Sequence, residues 1–370
     1  MFIIHFVSPS DPLTLENGSA ILTVARSLAD AAIEQRHECL IVGGEGQPVT
    51  IENAIGWSQR PLDGIFGRAV TASRWTIGAS PDYRRLGSAP RSSIGQYADL
   101  VIAHNQPWTG AALRRLFPRS RLVLYVHNRI LNGVRARIAQ RRLADFDHVI
   151  CVSNYIRDDL VKRTGIPAGK TTTVLNGVNP LRFPNRDRAI DITFVGRMSE
   201  EKGPHVLLES LEYLGDLGSS LRIQLIGASW FHGSEALTDY EKRLRALAGR
   251  LPQEVSFVGR QNPAEVAEHF AATKVAVVPS IWPDPCPLTI YEAMAAGAAL
   301  VATDTGGIPE LCEGAAVIIP RNDAQALAKA LRSLLVNPKL TAKIASTGRA
   351  RARSRPWSTV WSEALSASVI

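Results

Sequence analysis

At 370 residues and 40.2 kDa the chain exceeds the size at which one core stops growing, so two domains are expected, and 45% hydrophobic with 21% charged residues are globular values. No apolar run approaches the roughly 20 residues of a membrane span, and Met1 to Ser10 lacks a basic start, reading as a first strand rather than a signal peptide. The net charge of +8 is concentrated early: residues 1–180 hold 21 Lys/Arg, 19 of them Arg, against 14 Asp/Glu.

Those arginines cluster at 114–121 and 135–142, and the planar guanidinium suits phosphate and carboxylate. No aromatic-interleaved basic motif accompanies them, which turns the expectation from nucleic acid toward an anionic membrane surface or a phosphorylated acceptor. Cys39, Cys151, Cys286 and Cys312 are scattered without Cys-x-x-Cys or adjacent His spacing. They argue for free thiols in a reducing, cytoplasmic setting and against structural zinc.

In chain order, a strand (Ile3 to Val7), a polar loop, a helix (Ser19 to Arg36, with Ile21, Val24, Leu28, Ala31 and Ala32 as its stripe) and a strand (Cys39 to Gly43) form a βαβ unit. Gly18 at the mouth of that helix lets backbone approach a phosphate closely. The G-x-G-x-x-G of dinucleotide-binding oxidoreductases is missing here. Residues 44 to 95 are Gly-, Ser-, Pro- and Arg-rich and read as loops around short elements. A strand (Leu100 to His104), a helix (Pro107 to Phe117) and a strand (Leu122 to Val126) follow, so His104 and His127 fall at C-terminal strand ends, where ligands of open α/β sheets bind. A helix (Ile130 to Ala144), strand (His148 to Val152), helix (Asn154 to Arg163) and strand (Thr172 to Leu175) complete a first domain over 1–180, with a linker at Pro180 to Ala189.

The second domain, 181–355, opens with a strand (Ile190 to Val195) and GRMSEEKGPHVLLESL. Arg197 and Lys202 flank a short loop before a helix beginning near Gly203, and two cations so spaced can converge on one polyanion, although a solvated charged loop is the plainer reading. After further β/α units comes PSIWPDPCPLTIYEAMAAGAALVATDTGGIPE, residues 279–310. Pro285 or Pro287 suits a helix start, Gly297 its end, and the N–H groups of Leu288 and Thr289 favour an anion. Glu292, one turn in, can take two hydroxyl donors, as from a ribose, and Asp284 in the turn can accept from a second sugar. The tail 356–370 carries Trp357, Val360, Trp361 and Leu365 at helical spacing.

The acidic pair at 284 and 292, followed by AMAAG, a strand and GGIPE, resembles the retaining nucleotide-sugar glycosyltransferases of the GT-B fold, family four. YVHN (125–128), LNGVN (175–179) and the Gly-Arg and Glu-Lys-Gly elements at 196–203 are similar to parts of the same family. The resemblance implies two Rossmann-like domains facing across a cleft, with the tail crossing back to the first. It implies a UDP-sugar donor, or GDP-sugar next, and a glycan or lipid-linked acceptor, without a metal or other cofactor. The diphosphate would be gripped by Arg197 and Lys202 and by the helix start at Pro287, Leu288 and Thr289. Glu292 would hold the ribose, Asp284 the transferred sugar, and His127 would face the reacting sugar. Most relatives have Glu where Asp284 stands, a side chain longer by one carbon–carbon bond, roughly 1.5 Å. A nucleotide-sugar 2-epimerase and a non-catalytic nucleotide-sugar-binding protein share this fold and stay open at this point.

Overall fold

The computed structural model describes residues 1–8, 19–44, 54–57, 98–184, 186–217, 220–229 and 237–369. The chain divides into two compact units, Met1–Asn176 with Trp357–Ile370, and Gly177–Pro356.

The first unit is built on a parallel sheet with strands β1 (Phe2–Phe6), β2 (Glu38–Gly44), β3 (Ala54–Trp57), β4 (Leu100–His104), β5 (Arg121–Val126), β6 (His148–Cys151) and β7 (Thr171–Thr173), in the order β3-β2-β1-β4-β5-β6-β7. Its central strands β4 and β5 are buried almost throughout, as their continuous apolar runs require when helices cover both faces. The helix Ala20–Glu34 starts at Ser19, whose hydroxyl accepts from the Leu22 N–H, and it buries Leu22, Val24 and Leu28, while Ile21 is only partly covered. The terminal helix Trp357–Val369 packs against it, burying Val360, Trp361 and Ala364, and Gln35 Nε2 donates to Ser362 Oγ at 3.3 Å.

One expected boundary moves. The helix placed at Ile130 to Ala144 begins at Ala136, because Leu131 and Gly133 both take positive φ (57° and 71°), which no helix continues. Of the arginines there, Arg135 and Arg141 are exposed, whereas Arg142 is half-buried with its guanidinium 5.2 Å from the Trp108 ring.

The second unit carries β8 (Ile190–Val195), β9 (Arg222–Ile226), β10 (Glu254–Gly259), β11 (Thr273–Val278), β12 (Ala299–Thr303) and β13 (Val317–Ile319), in the order β10-β9-β8-β11-β12-β13, all parallel. Strands β8 and β11 lie side by side at its centre, backed by a core that includes Ile192, Phe194, Leu207, Val275 and Leu331. No described helix is long and apolar enough to cross a membrane, and all four cysteines are free and buried.

Candidate functional site

In a parallel doubly wound sheet every strand ends at the same edge, and the loops part where the strand order reverses, leaving a crevice. In the second unit that reversal lies between β8 and β11. After β8 the chain passes exposed Arg197 and buried Met198, makes a tight turn at Glu200–Lys202, and enters the helix Pro204–Glu212 through Gly203 at φ +70°. A Cβ at 203 would stand 2.1 Å from the Pro279 carbonyl oxygen, so only glycine lets this loop lie against the exit of β11. The Glu201 carbonyl accepts from the N–H groups of Ile281 (2.9 Å) and Trp282 (3.2 Å).

That contact brings the Lys202 ammonium onto Oδ2 of Asp284, an ion pair whose side chains are 22% and 7% exposed. The Gly306-Gly307 loop after β12 clamps the same residue from the other side. Gly306 has φ +62°, its absent Cβ would fall 2.2 Å from the Asp284 carbonyl oxygen, and Gly307 N–H donates to that oxygen at 2.8 Å. Arg197 lies 3.3 Å from Glu201 in an ion pair whose side chains are 43% and 55% exposed, a solvated contact of small energetic weight.

The helix Leu288–Ala296 buries six of its nine residues. The three left partly exposed, Leu288, Thr289 and Glu292, share its N-terminal end and one face. Pro287 is the cap residue rather than part of the first turn, and no side chain caps the helix, so the N–H groups of Leu288 and Thr289 meet no capping side chain, an arrangement that favours an anion. Gly297 closes it at φ +73°. Glu292 keeps partial exposure, yet the protein packed around its carboxyl raises it to about 7, against the opposing pull of Arg182.

In the first unit the strand order reverses between β1 and β4. His127, the first residue past β5, is 7% exposed and its N–H donates to Asn105 Oδ1 at 2.7 Å. Its Nε2 lies 2.8 Å from Nδ1 of His104, whose Nε2 lies 3.0 Å from Nδ1 of His5 in β1. Tyr125 stacks on both His104 and His127, with ring centroids 5.5 and 4.9 Å away. Burial lowers His5 and His127 to about 3 and His104 well below its ordinary value, so His127 is uncharged at neutral pH and can offer a hydrogen bond but no positive charge.

Gly18 lies outside the described residues. His5 and Arg182 belong to no motif in the sequence, and Tyr125 stands out only as part of YVHN. A lone histidine within Phe-Ile-Ile-His-Phe was the one available signal for His5. Among the described residues no group of three His, Cys, Asp or Glu is arranged to hold a metal ion.

Residues 182–351 match the model of the glycosyl transferases group 1, and residues 21–182 that of glycosyltransferase family 4. The chain is 29% identical over 235 residues to spore coat protein SA of Bacillus subtilis, covering 58% of this chain and 62% of that protein. It is 30% identical over 257 residues to the putative colanic acid biosynthesis glycosyltransferase WcaL of Escherichia coli, covering 63% and 61%. The chain thus spans about three fifths of the length of these curated relatives. The crystal structure of Anabaena HepE in complex with UDP-glucose superposes with a TM-score of 0.74 at 21% identity, over 99% of both chains. The strand orders, the loops at the reversal of the second sheet and these matches agree, and the chain belongs to the group 1 glycosyltransferases, with two Rossmann-like units of the GT-B fold.

Proposed function

We propose that the protein moves a hexose from a nucleoside-diphosphate sugar, a UDP-sugar first and a GDP-sugar next, to a hydroxyl of a glycan or lipid-linked acceptor, with retention at the anomeric carbon. The observation that carries this is the second unit's reversal site, where Lys202, Asp284 and an uncapped helix start occupy the ends of neighbouring strands. The UDP-glucose complex of HepE and the name of WcaL support the donor class and a role in cell-surface polysaccharide or glycolipid synthesis.

In this reading the diphosphate takes Lys202 from Asp284 and meets Arg197 and the N–H groups of Leu288 and Thr289. Glu292 accepts from the ribose hydroxyls, and Asp284, released, accepts from the sugar. The bond from the anomeric carbon to the diphosphate oxygen breaks, and the acceptor oxygen bonds to that carbon on the same face. Its proton passes to the departing diphosphate, whose charge is met by cations and N–H dipoles without a metal. His127 supplies a neutral hydrogen bond to the sugar, which leaves a cationic transition state unopposed.

The test is incubation with UDP-, GDP- and ADP-sugars, with and without lipid-linked and soluble glycan acceptors, and with EDTA. Acceptor-dependent release of the nucleotide, an α-donor giving an α-product by NMR, and indifference to EDTA are expected. Conversion of the donor to its 2-epimer without acceptor, or activity restored only by Mg²⁺ or Mn²⁺ after chelation, would overturn it.

A further inference from the structure

The three histidines form one row across neighbouring strands. His5 of β1 is in register with Ile102 of β4, His104 lies two residues beyond Ile102, and His104 is in register with Tyr125 of β5, two residues before His127. A step of two keeps side chains on one face of a sheet, so this register sets the imidazoles edge to edge with their planes 24° and 21° from parallel and centroids 5.3 and 5.1 Å apart. The row ends against Trp361 of the terminal helix, whose ring centroid is 6.4 Å from that of His5.

A neutral imidazole has one N–H and one bare nitrogen. Each of the two links needs a donor facing an acceptor, so both must run in the same sense. All three rings then carry hydrogen on Nδ1, or all three on Nε2. Exchange between these states needs a proton taken at one end of the row and given at the other. At the inner end, Nε2 of His5 is buried with no hydrogen-bond partner among the described residues. The row is therefore a closed strut rather than a proton path.

We infer that His104 and His5 are positioning residues for His127, holding its ring in one plane and one tautomer so that Nδ1 meets the sugar with its hydrogen-bond role already set. The inference rests on the reading of His127 as a contact to the reacting sugar.

His104 uses both ring nitrogens, and the two amide side chains each reproduce one of them. Asparagine places its amide near Nδ1, toward His127, and glutamine places it near Nε2, toward His5. Each variant keeps one of the two links, so a purely structural role would make His104→Asn and His104→Gln equivalent. In ¹⁵N-histidine-labelled protein, wild type and His104→Asn should show His127 as a single tautomer, and His104→Gln should show averaged ring-nitrogen signals. With UDP-glucose as the donor tried, His104→Gln should lower kcat for UDP release by about tenfold to a hundredfold at an unchanged donor KM, while His104→Asn stays within about threefold of wild type. His5→Asn against His5→Leu asks the same question one link further out, with melting temperatures checking the fold. Equal behaviour of the two variants at both His104 and His5, or averaged His127 signals in the wild type, would overturn the inference. If His127→Ala alone keeps full activity, the reading of His127 fails instead, while the tautomer signals still report on the strut.

Discussion

The two sheets reverse their strand order in the same manner, yet the groups at the two reversals are held by different means. In the second unit three loops are locked together through backbone, at Gly203 against Pro279 and at Gly306 against Asp284, and charged side chains ride on them. In the first unit the equivalent place is filled by side chains that grow from the strands themselves, three neutral imidazoles and a tyrosine ring. Loops bearing exchangeable charge suit a polyanion that must be bound and released. Buried neutral rings suit a contact whose direction must not vary.

The comparison breaks most sharply at Lys202. Lys202→Ala should reduce turnover by roughly 10²–10³, the range for losing one charged donor to a developing anion. Because Asp284 is left buried and unpaired, that variant should also be less stable, so Lys202→Met combined with Asp284→Asn is the cleaner probe. The double variant should regain melting temperature and remain inactive. Recovery of activity would remove the pair from the chemistry.

Acidity separates the two regions next. Glu292 is raised to about 7, so its carboxylate form, which accepts from two hydroxyls, dominates only above that pH. Nucleotide affinity should weaken about tenfold from pH 8 to pH 6 as a proton competes with the ligand. Glu292→Gln should bind weakly at both pH values and lose the dependence. His5, His104 and His127 of the first unit stay neutral across this window and contribute no slope.

Backbone clamping predicts a smaller effect. Gly306→Ala forces a side chain into the left-handed region and against the Asp284 carbonyl, and should cost more than about 1 kcal/mol, read as a fall in melting temperature of a few degrees. A stability equal to wild type would mean that the loop does not hold Asp284 in place.

The smallest effect concerns the basic surface of the first unit. With Arg142 engaged by Trp108, the exposed pair Arg135 and Arg141 beside Ile138 is the part free to meet an anionic membrane. Replacing both by Gln should weaken sedimentation with anionic liposomes by about 1 kcal/mol for each cation, and 1 M salt should abolish it. Unchanged sedimentation would point to a soluble anionic acceptor.

Elements whose signals are local were legible in the sequence. The helix Leu288–Ala296 and the strands Ile190–Val195 and Leu100–His104 fall where hydrophobic runs, Pro and Gly placed them. The helix before Ala144 was read six residues too long because its apolar spacing continued through Asn132-Gly133, a turn signal that wins over periodicity. Glu292, Leu288 and Thr289 were legible as one face of a helix start. The Lys202–Asp284 pair was not, since its partners are 82 positions apart and only the β8–β11 neighbourhood joins them. His5 was invisible for a related reason: a single polar residue in an apolar strand gains meaning only from the register that sets it beside His104.

The central claim is that the reversal site of the second unit holds the diphosphate of a sugar nucleotide. Ligand-detected NMR against UDP-, GDP- and ADP-sugars, run on wild type, Lys202→Ala and His127→Ala, tests it most directly. Binding of at least one sugar nucleotide to wild type is expected, weakened about tenfold or more in Lys202→Ala, as loss of a charge-assisted contact worth about 1.5–3 kcal/mol requires, and little changed in His127→Ala. Absence of binding by every sugar nucleotide, or binding indifferent to Lys202, would contradict it.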